Sequence, residues 1–285
     1  MGLVKKLGKA IVPFALAGSM FLGGCSDSQP PQPPQPQRLE QRISQEVAQP
    51  NGQPDKYAVI INGTDEWRFV ADVSLVYQVL LENGFKKSDI YILDQDGKEG
   101  FLYPVDDIAH KRSIETIFNH LQKKIDDQDM LVVHISDHGV RTRIKPENST
   151  SGEYQEVTEV VLPYGNVSEI DFDRYLSKIN PKFGLITTDI CYGGGLVNKL
   201  GKGNYVGVAQ TTDKDLGYLD LRDSFGGFFY QAFRNSAESD KDRNGRVTLD
   251  EAFDYAKQRH SWTKEGKVNP QMVSDMNVKN LSIQN

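Results

Sequence analysis

Leu131-Val-Val-His-Ile-Ser-Asp-His-Gly139 and Gly184-Leu-Ile-Thr-Thr-Asp-Ile-Cys-Tyr-Gly-Gly-Gly195 decide the fold. In each, an apolar run gives way to a glycine-containing loop, the pattern of a buried parallel strand that carries a side chain to its carboxyl end. Open α/β sheets build their sites at that edge. The two runs deliver an imidazole, His138, and a thiol, Cys191. A free thiol is mostly protonated at neutral pH, and a neighbouring imidazole that takes its proton yields the thiolate that attacks a carbonyl. The tetrahedral intermediate then needs donors for its oxyanion. Gly139 and the glycines after Cys191 let backbone and substrate approach closely, so the N–H groups of Gly139 and Cys191 are the candidates.

Outward from these runs, the pattern alternates. Strands are predicted at 57–61, 90–93, 130–135, 156–162, 183–187 and 205–209. Helices are predicted at 69–82, where Val73, Val76, Tyr77 and Leu80 fall at helical spacing before Asn83-Gly84, and at 114–125 and 172–179. Such alternation predicts an α/β fold, a mostly parallel sheet with helices on both faces. The polar segment 141–153 reads as a loop. His134 lies within a β-rich apolar run and reads as a packed strand residue, while His110, His120 and His260 lie in helical or polar surroundings that imply surface roles.

The 285 residues suffice for one large domain with appendages, and a net charge of −6 argues against a nucleic-acid partner. Residues 1–24 read as a secretory signal: Lys5, Lys6 and Lys9 precede a short apolar core from Ala10 to Leu22. Phe21-Leu-Gly-Gly-Cys25 resembles the lipobox of bacterial lipoproteins. That resemblance implies cleavage before Cys25, acylation of Cys25, and attachment to a lipid bilayer of the bacterial cell envelope. Ser26 at the next position favours the outer membrane in a Gram-negative cell. Residues 25–55, with their Pro/Gln run, read as a semi-rigid tether of polyproline II character in which a short helix at 38–47 is open but not demanded, and 56–285 as the folded domain. With Cys25 acylated, Cys191 is the one free thiol of an exported chain, to be either well buried or kept for reactivity.

At His138 and Cys191 the chain resembles the caspase-like cysteine peptidases, and within them the legumain family. The two residues are 53 positions apart, close to the roughly 50 of caspases. The likeness continues in Ile61-Asn-Gly-Thr-Asp-Glu-Trp-Arg-Phe-Val-Ala-Asp72, in Tyr77 to Tyr91, in Ser136-Asp-His-Gly139 and in Val161-Leu-Pro-Tyr-Gly165. The resemblance implies a caspase-like three-layer sandwich and a cysteine endopeptidase acting on a peptide or protein, with His138 and Cys191 as the dyad. It places Arg68 on the family's pocket arginine and Asp189 where the family has a pocket glutamate, which implies cleavage after Asn or Asp. The family's His-orienting asparagine has no clear equivalent, with Glu66 and Asn62 as candidates. Asp213, Asp215, Asp220 and Asp223 keep open an acidic pocket for Arg or Lys. A transpeptidase or transamidase with the same dyad, and a non-catalytic calcium-binding surface lipoprotein, are the alternative readings.

Asp240-Lys-Asp-Arg-Asn-Gly-Arg-Val-Thr-Leu-Asp-Glu251 fits the calcium-loop pattern D-x-[DN]-x-[DN]-G-x5-E in full. Asp240, Asp242 and Asn244 would offer side-chain oxygens and Arg246 its carbonyl. Thr248 would act directly or through water, Glu251 would bind in bidentate fashion, and Gly245 would make the sharp turn. Helices at 228–233 and 252–256 are expected to flank the loop, and Ca2+ is the expected ion.

Overall fold

The computed structural model describes residues 37–46, 48–98, 102–145 and 154–284. The signal segment, Cys25, the Pro/Gln run and the part of the expected loop at 146–153 lie outside the described residues. The chain proceeds through α1 (Gln37–Gln45), β1 (Lys56–Ile61), α2 (Trp67–Glu82), β2 (Ile90–Asp94), β3 (Asp107–Ile108) and α3 (Lys111–Lys124). It continues with β4 (Met130–Ser136), β5 (Gly139–Ile144), β6 (Gln155–Val160), β7 (Val167–Ser168), α4 (Glu169–Leu176), β8 (Phe183–Asp189) and α5 (Gly193–Leu200). The last part holds β9 (Tyr205–Ala209), α6 (Phe225–Ala232), α7 (Ser236–Ser239), α8 (Leu249–Arg259), α9 (Ser261–Lys264) and β10 (Gln271–Ser274).

The main sheet has the order β10-β9-β8-β4-β1-β2-β3, parallel throughout except where β10 pairs antiparallel with β9. Its strands are buried on both faces, as a sheet between two helical layers must be. Tyr57, Val59, Ile61, Val133 and Ile186 join one core with residues of α3, α4 and α5. Ala58, Ile60, Val132 and Leu185 join the other with α2, α6 and α8. The architecture is α/β, a mostly parallel sheet with helices on both faces, consistent with a caspase-like three-layer sandwich. Among the described residues no helix is long and apolar enough to cross a membrane.

Three expectations need correction. Residues 139–144 form β5, paired antiparallel with β6 in a small second sheet, rather than a loop from 141. Arg141 and Arg143 masked this strand in the sequence, because their charges are met from the neighbouring strand by Glu156. Second, His110, His120 and His260 are buried, not superficial. His110 caps α3 by accepting the Ser113 N–H at 2.9 Å, and His120 Nε2 sits 3.0 Å from Glu46. His260 Nδ1 meets the Thr263 hydroxyl at 2.9 Å. Third, part of the expected tether belongs to the domain: α1 buries Leu39 completely and packs Ile43 beside the same core.

Polar groups fix α1 further. Arg42 reaches Asp106 at 2.5 Å and the Ile90 carbonyl at 3.1 Å. Glu46 accepts from the Tyr91 hydroxyl at 2.6 Å and from Lys124 at 2.9 Å. Burial alone would raise the Glu46 carboxyl, but the hydrogen bonds from His120, Tyr91 and Lys124 hold it well below the usual carboxylate range. If α1 is a structural helix, Leu39→Ala will lower the unfolding free energy by about 2–5 kcal/mol in urea denaturation. A loss within about 0.5 kcal/mol, as at a surface site, would return this segment to the tether.

Candidate active site

The parallel register places the strand ends side by side. Ile61 pairs with Ile135, and Ser136 with Asp189, so β1, β4 and β8 end together at one edge. His138 follows β4 by two residues and Cys191 follows β8 by two. Gly139 then passes directly against the Cys191 peptide. A Cβ at residue 139 would collide with the Cys191 carbonyl and lie 3.1 Å from its nitrogen, so only glycine fits. Beyond Cys191 the chain turns sharply into α5 through Tyr192, which is left-handed at φ 60° and ψ 19°. That conformation is costly for a tyrosine, and its N–H is held by the Asp215 carbonyl at 2.9 Å.

Cys191 is a free, half-buried thiol whose Sγ lies 3.9 Å from the Gly217 carbonyl. It shares one cavity with His138, Arg68, Phe69, Asp189 and Leu219. The His138 ring is 44 % exposed, so the site opens to solvent. It stands edge-on to Phe69 at 5.1 Å, and its Nε2 meets Glu66 Oε1 at 2.6 Å. The other Glu66 oxygen takes Arg68 Nε at 2.9 Å. The hydrogen bond from His138, assisted by Arg68, holds the Glu66 carboxyl below its usual range. An ionised Glu66 can only accept, which places an imidazole proton on Nε2 and leaves Nδ1 as the nitrogen able to accept one. Glu66 therefore occupies the orienting position. Asn62, the other candidate, is fully buried and turned to Asp94 at 3.2 Å and the Thr64 N–H.

The expected pocket residues both border this cavity. Arg68 also donates to the Leu219 carbonyl at 3.2 Å. Asp189 is buried beneath it. Its Oδ2 accepts from the Ser224 hydroxyl and the Gly226 N–H, both at 2.8 Å, while Oδ1 has no partner among the described residues. Burial, with the charge of Asp72 second, pushes the Asp189 carboxyl up to about 7. The Ser224 hydroxyl also lies 2.7 Å from Asp72, which pairs with His134 Nε2 at 2.9 Å. His134 Nδ1 continues to Thr187 at 2.8 Å, and Thr187 to the Tyr230 hydroxyl at 2.9 Å.

Of the four acids beyond Thr212, Asp223 is committed to Ser261 and Asp215 to Thr212. Asp220 borders an adjoining cleft with Arg68. Ser224 and Asp72 were not singled out in the sequence. A serine three residues before Gly227 is a helix cap signal, and an acid between Phe69 and Val73 on the apolar stripe of α2 marks a buried charge.

The 240–251 loop gathers oxygens from Asp240, Asp242 and Glu251 within 4.8 Å of one another. Gly245 turns the loop at φ 87°, and Val247 is fully buried. The donor set, hard carboxylate oxygens, suits calcium. Asn244 and Arg246 lie in the same loop, and the Asn244 Oδ1 accepts the Arg246 N–H at 2.9 Å. Thr248 forms a capping box with Glu251, whose two oxygens also accept N–H groups of Lys241 and Thr248 within the loop. The entering helix differs from expectation. The predicted 228–233 helix is α6, which ends at Ala232, and only the four-residue α7 leads into the loop.

No protein-family model matches the chain, and no curated protein matches it in sequence.

Asp137, beside the imidazole, accepts the His138 N–H at 2.6 Å and the Gly63 N–H at 2.7 Å. Burial nevertheless pushes its carboxyl up to about 7. Its folded value thus lies above the unfolded value of about 3.9. The stability it contributes is fully present below about pH 4 and is lost as pH rises through 7. Asp137→Asn will therefore flatten the fall in unfolding free energy between pH 4 and 7, by on the order of 1.4 kcal/mol per pH unit. Urea denaturation across that range measures it, and an unchanged slope would refute the assignment.

Proposed function

We propose that this chain is a cysteine-type endopeptidase working through Cys191 and His138, with Glu66 orienting the imidazole. One observation carries the reading: the Gly139 backbone lies against the Cys191 peptide and brings the thiol and the Glu66-bound imidazole into one cavity at the carboxyl edge of the sheet. In this mechanism His138 Nδ1 takes the thiol proton and Sγ attacks the scissile carbonyl. Backbone N–H groups around Gly139 and Cys191 steady the oxyanion. Collapse of the intermediate breaks the C–N bond, and the proton on His138 passes to the leaving amine. Water, deprotonated by the same nitrogen, then frees the acid product and the thiol. Glu66 keeps Nε2–H directed and stabilises the imidazolium, a positioning role.

The pocket combines a cation, Arg68, with a buried carboxyl, Asp189, which supports Asn or Asp as the residue before the cleaved bond. In this proposal acylated Cys25 holds the enzyme at a bacterial envelope membrane, and calcium in the 240–251 loop secures α8.

A fluorogenic peptide library varied at the residue before the scissile bond tests the reading. Hydrolysis is expected after Asn or Asp and is expected to fall by at least ~10³-fold in Cys191→Ala. Glu66→Gln is expected to lower kcat by about 10²-fold with little change in KM. Cleavage after Arg or Lys would reassign the pocket to its acids. Transfer to an added amine in place of hydrolysis would make the enzyme a transpeptidase. No reaction, with Cys191 also inert to a peptidyl electrophile, would leave a calcium-binding surface protein.

Calcium is expected to raise Tm in the parent chain and not in Asp240→Ala. At 100 times Kd the stabilisation is about 2.7 kcal/mol. A calcium-independent Tm in the parent would remove the ion from the proposal.

A further inference from the structure

A cavity of about 560 Å3 lies at the opposite edge of the sheet from Cys191. Its floor is the amino ends of three neighbouring strands, Lys56, Met130 and Phe183, which stand in register. Its other walls are Arg246 of the 240–251 loop and the segment from Met276 to Gln284. That segment is tied to the loop: Ser282 donates to the Val247 carbonyl, and the Val247 N–H donates to Gln284 at 2.7 Å. The volume falls in the range of small-molecule sites, roughly 300–1,000 Å3.

The charges here do not balance locally. Both acids of the cavity are already engaged. Asp55 is paired with Lys86 at 2.7 Å, and the two Asp129 oxygens accept the N–H groups of Asp55 and Asp126, both at 2.8 Å. Cations outnumber acids here, Lys56, Lys182 and Arg246 against Asp55 and Asp129, and among the described residues none of the three cations forms an ion pair. Among the described residues Lys56 donates only to the carbonyls of Asn83 and Ile283, both at 2.8 Å. Burial and the charge of Arg246 press its ammonium down to about 8. Among the described residues neither Lys182 nor Arg246 pairs with a carboxylate, although the chain as a whole carries a net charge of −6. The same lining carries four large apolar side chains, Met130, Phe183, Met276 and Leu281. Methionine adapts to flexible apolar ligands. A lone aromatic ring does not make a stacking slot for a base.

We propose that this cavity binds an anionic amphiphile, with the carboxylate or phosphate head at Lys182 and Arg246 and the apolar chain along Met130, Phe183, Met276 and Leu281. The binding site is separate from the dyad, and its ligand reaches the calcium loop through Arg246.

Hydrogen–deuterium exchange of the full chain, read by mass spectrometry, tests this with laurate below its micelle threshold. Laurate should slow exchange in 276–284 and 243–248. In the Lys182→Glu/Arg246→Glu variant the half-saturating concentration should rise at least tenfold, and dodecanol, the same chain without charge, should be at least tenfold weaker than laurate. Both substituted side chains are exposed, so the fold survives the change, and Met276→Trp, which fills the cavity with the charges intact, should also abolish the protection. Dodecyl phosphate in place of laurate separates the head groups: tighter binding assigns a phosphate-headed lipid, weaker binding a free carboxylate. No protection by either amphiphile, or equal protection by dodecanol or in the charge-reversed variant, overturns the proposal.

Discussion

The close pass of Gly139 against the Cys191 peptide is the contact on which the site depends. A parallel sheet already sets β4 beside β8, but register alone only makes their ends neighbours. The chain leaving β4 must also fold back across the β8 end to begin the second sheet, and there is no room for a side chain where it crosses. Glycine permits the crossing, the left-handed Tyr192 turns the chain out of the strand end into α5, and His138 and Cys191 line one cavity. Backbone strain held at one residue beside an otherwise regular strand end fits a position selected for geometry rather than stability.

Much of this was legible in the sequence because periodicity and burial coincide. The β4 and β8 runs are apolar without alternation, which only a doubly covered strand tolerates, and His138, Gly139 and Cys191 mark where each run stops. Arg68 and Asp189 came from the family resemblance alone, and the folded chain sets both beside the cavity that holds the thiol. Long-range polar pairing was not legible. Glu66 was one of two candidates to orient the imidazole, and only the folded chain brings it within 2.6 Å of His138 while turning Asn62 to Asp94. The three misplaced histidines share a cause. Each lies at a helix terminus or on a helix face where composition looks polar, yet each is buried against a hydrogen-bond partner: His110 by capping Ser113, His120 by Glu46 from a distant segment, and His260 by Thr263 three residues on. For α1 the sequence left a short helix at 38–47 open without requiring it: two apolar residues one turn apart make a weak signal, and the groups that hold Arg42 and Glu46 come from β2, α3 and Asp106 ahead of β3.

Beneath the pocket, buried polar groups perform the work that apolar packing does elsewhere in the sheet. Asp72, His134, Ser224 and Asp189 join α2, β4, the start of α6 and β8 through hydrogen bonds of 2.7 to 2.9 Å. Each carboxylate would be costly alone in such a place. Linked, they specify one arrangement of four elements, since moving any one of them strands a charge. Gly226 belongs to the same design, because a Cβ there would press on the Asp189 carboxylate at 2.9 Å.

The network also sets how a distant loop bears on the thiol. Ser224 caps α6, and the next residue, Phe225, packs edge-on to Phe253 of α8 at 5.6 Å and to His260 at 5.9 Å. The α8 helix begins inside the 240–251 loop, with Thr248 and Glu251 forming its capping box. An ion bound by Glu251 would therefore draw on the same carboxylate that starts α8. The path from loop to pocket runs through one rigid helix pair and one hydroxyl, Ser224, whose acceptor Asp189 stands two residues before Cys191. If the loop holds calcium as proposed, the ion would not need to touch the cavity to secure its floor. It would need only to fix the first turn of α8, because α6, which Ser224 caps, is held against that helix by the aromatic contacts of Phe225.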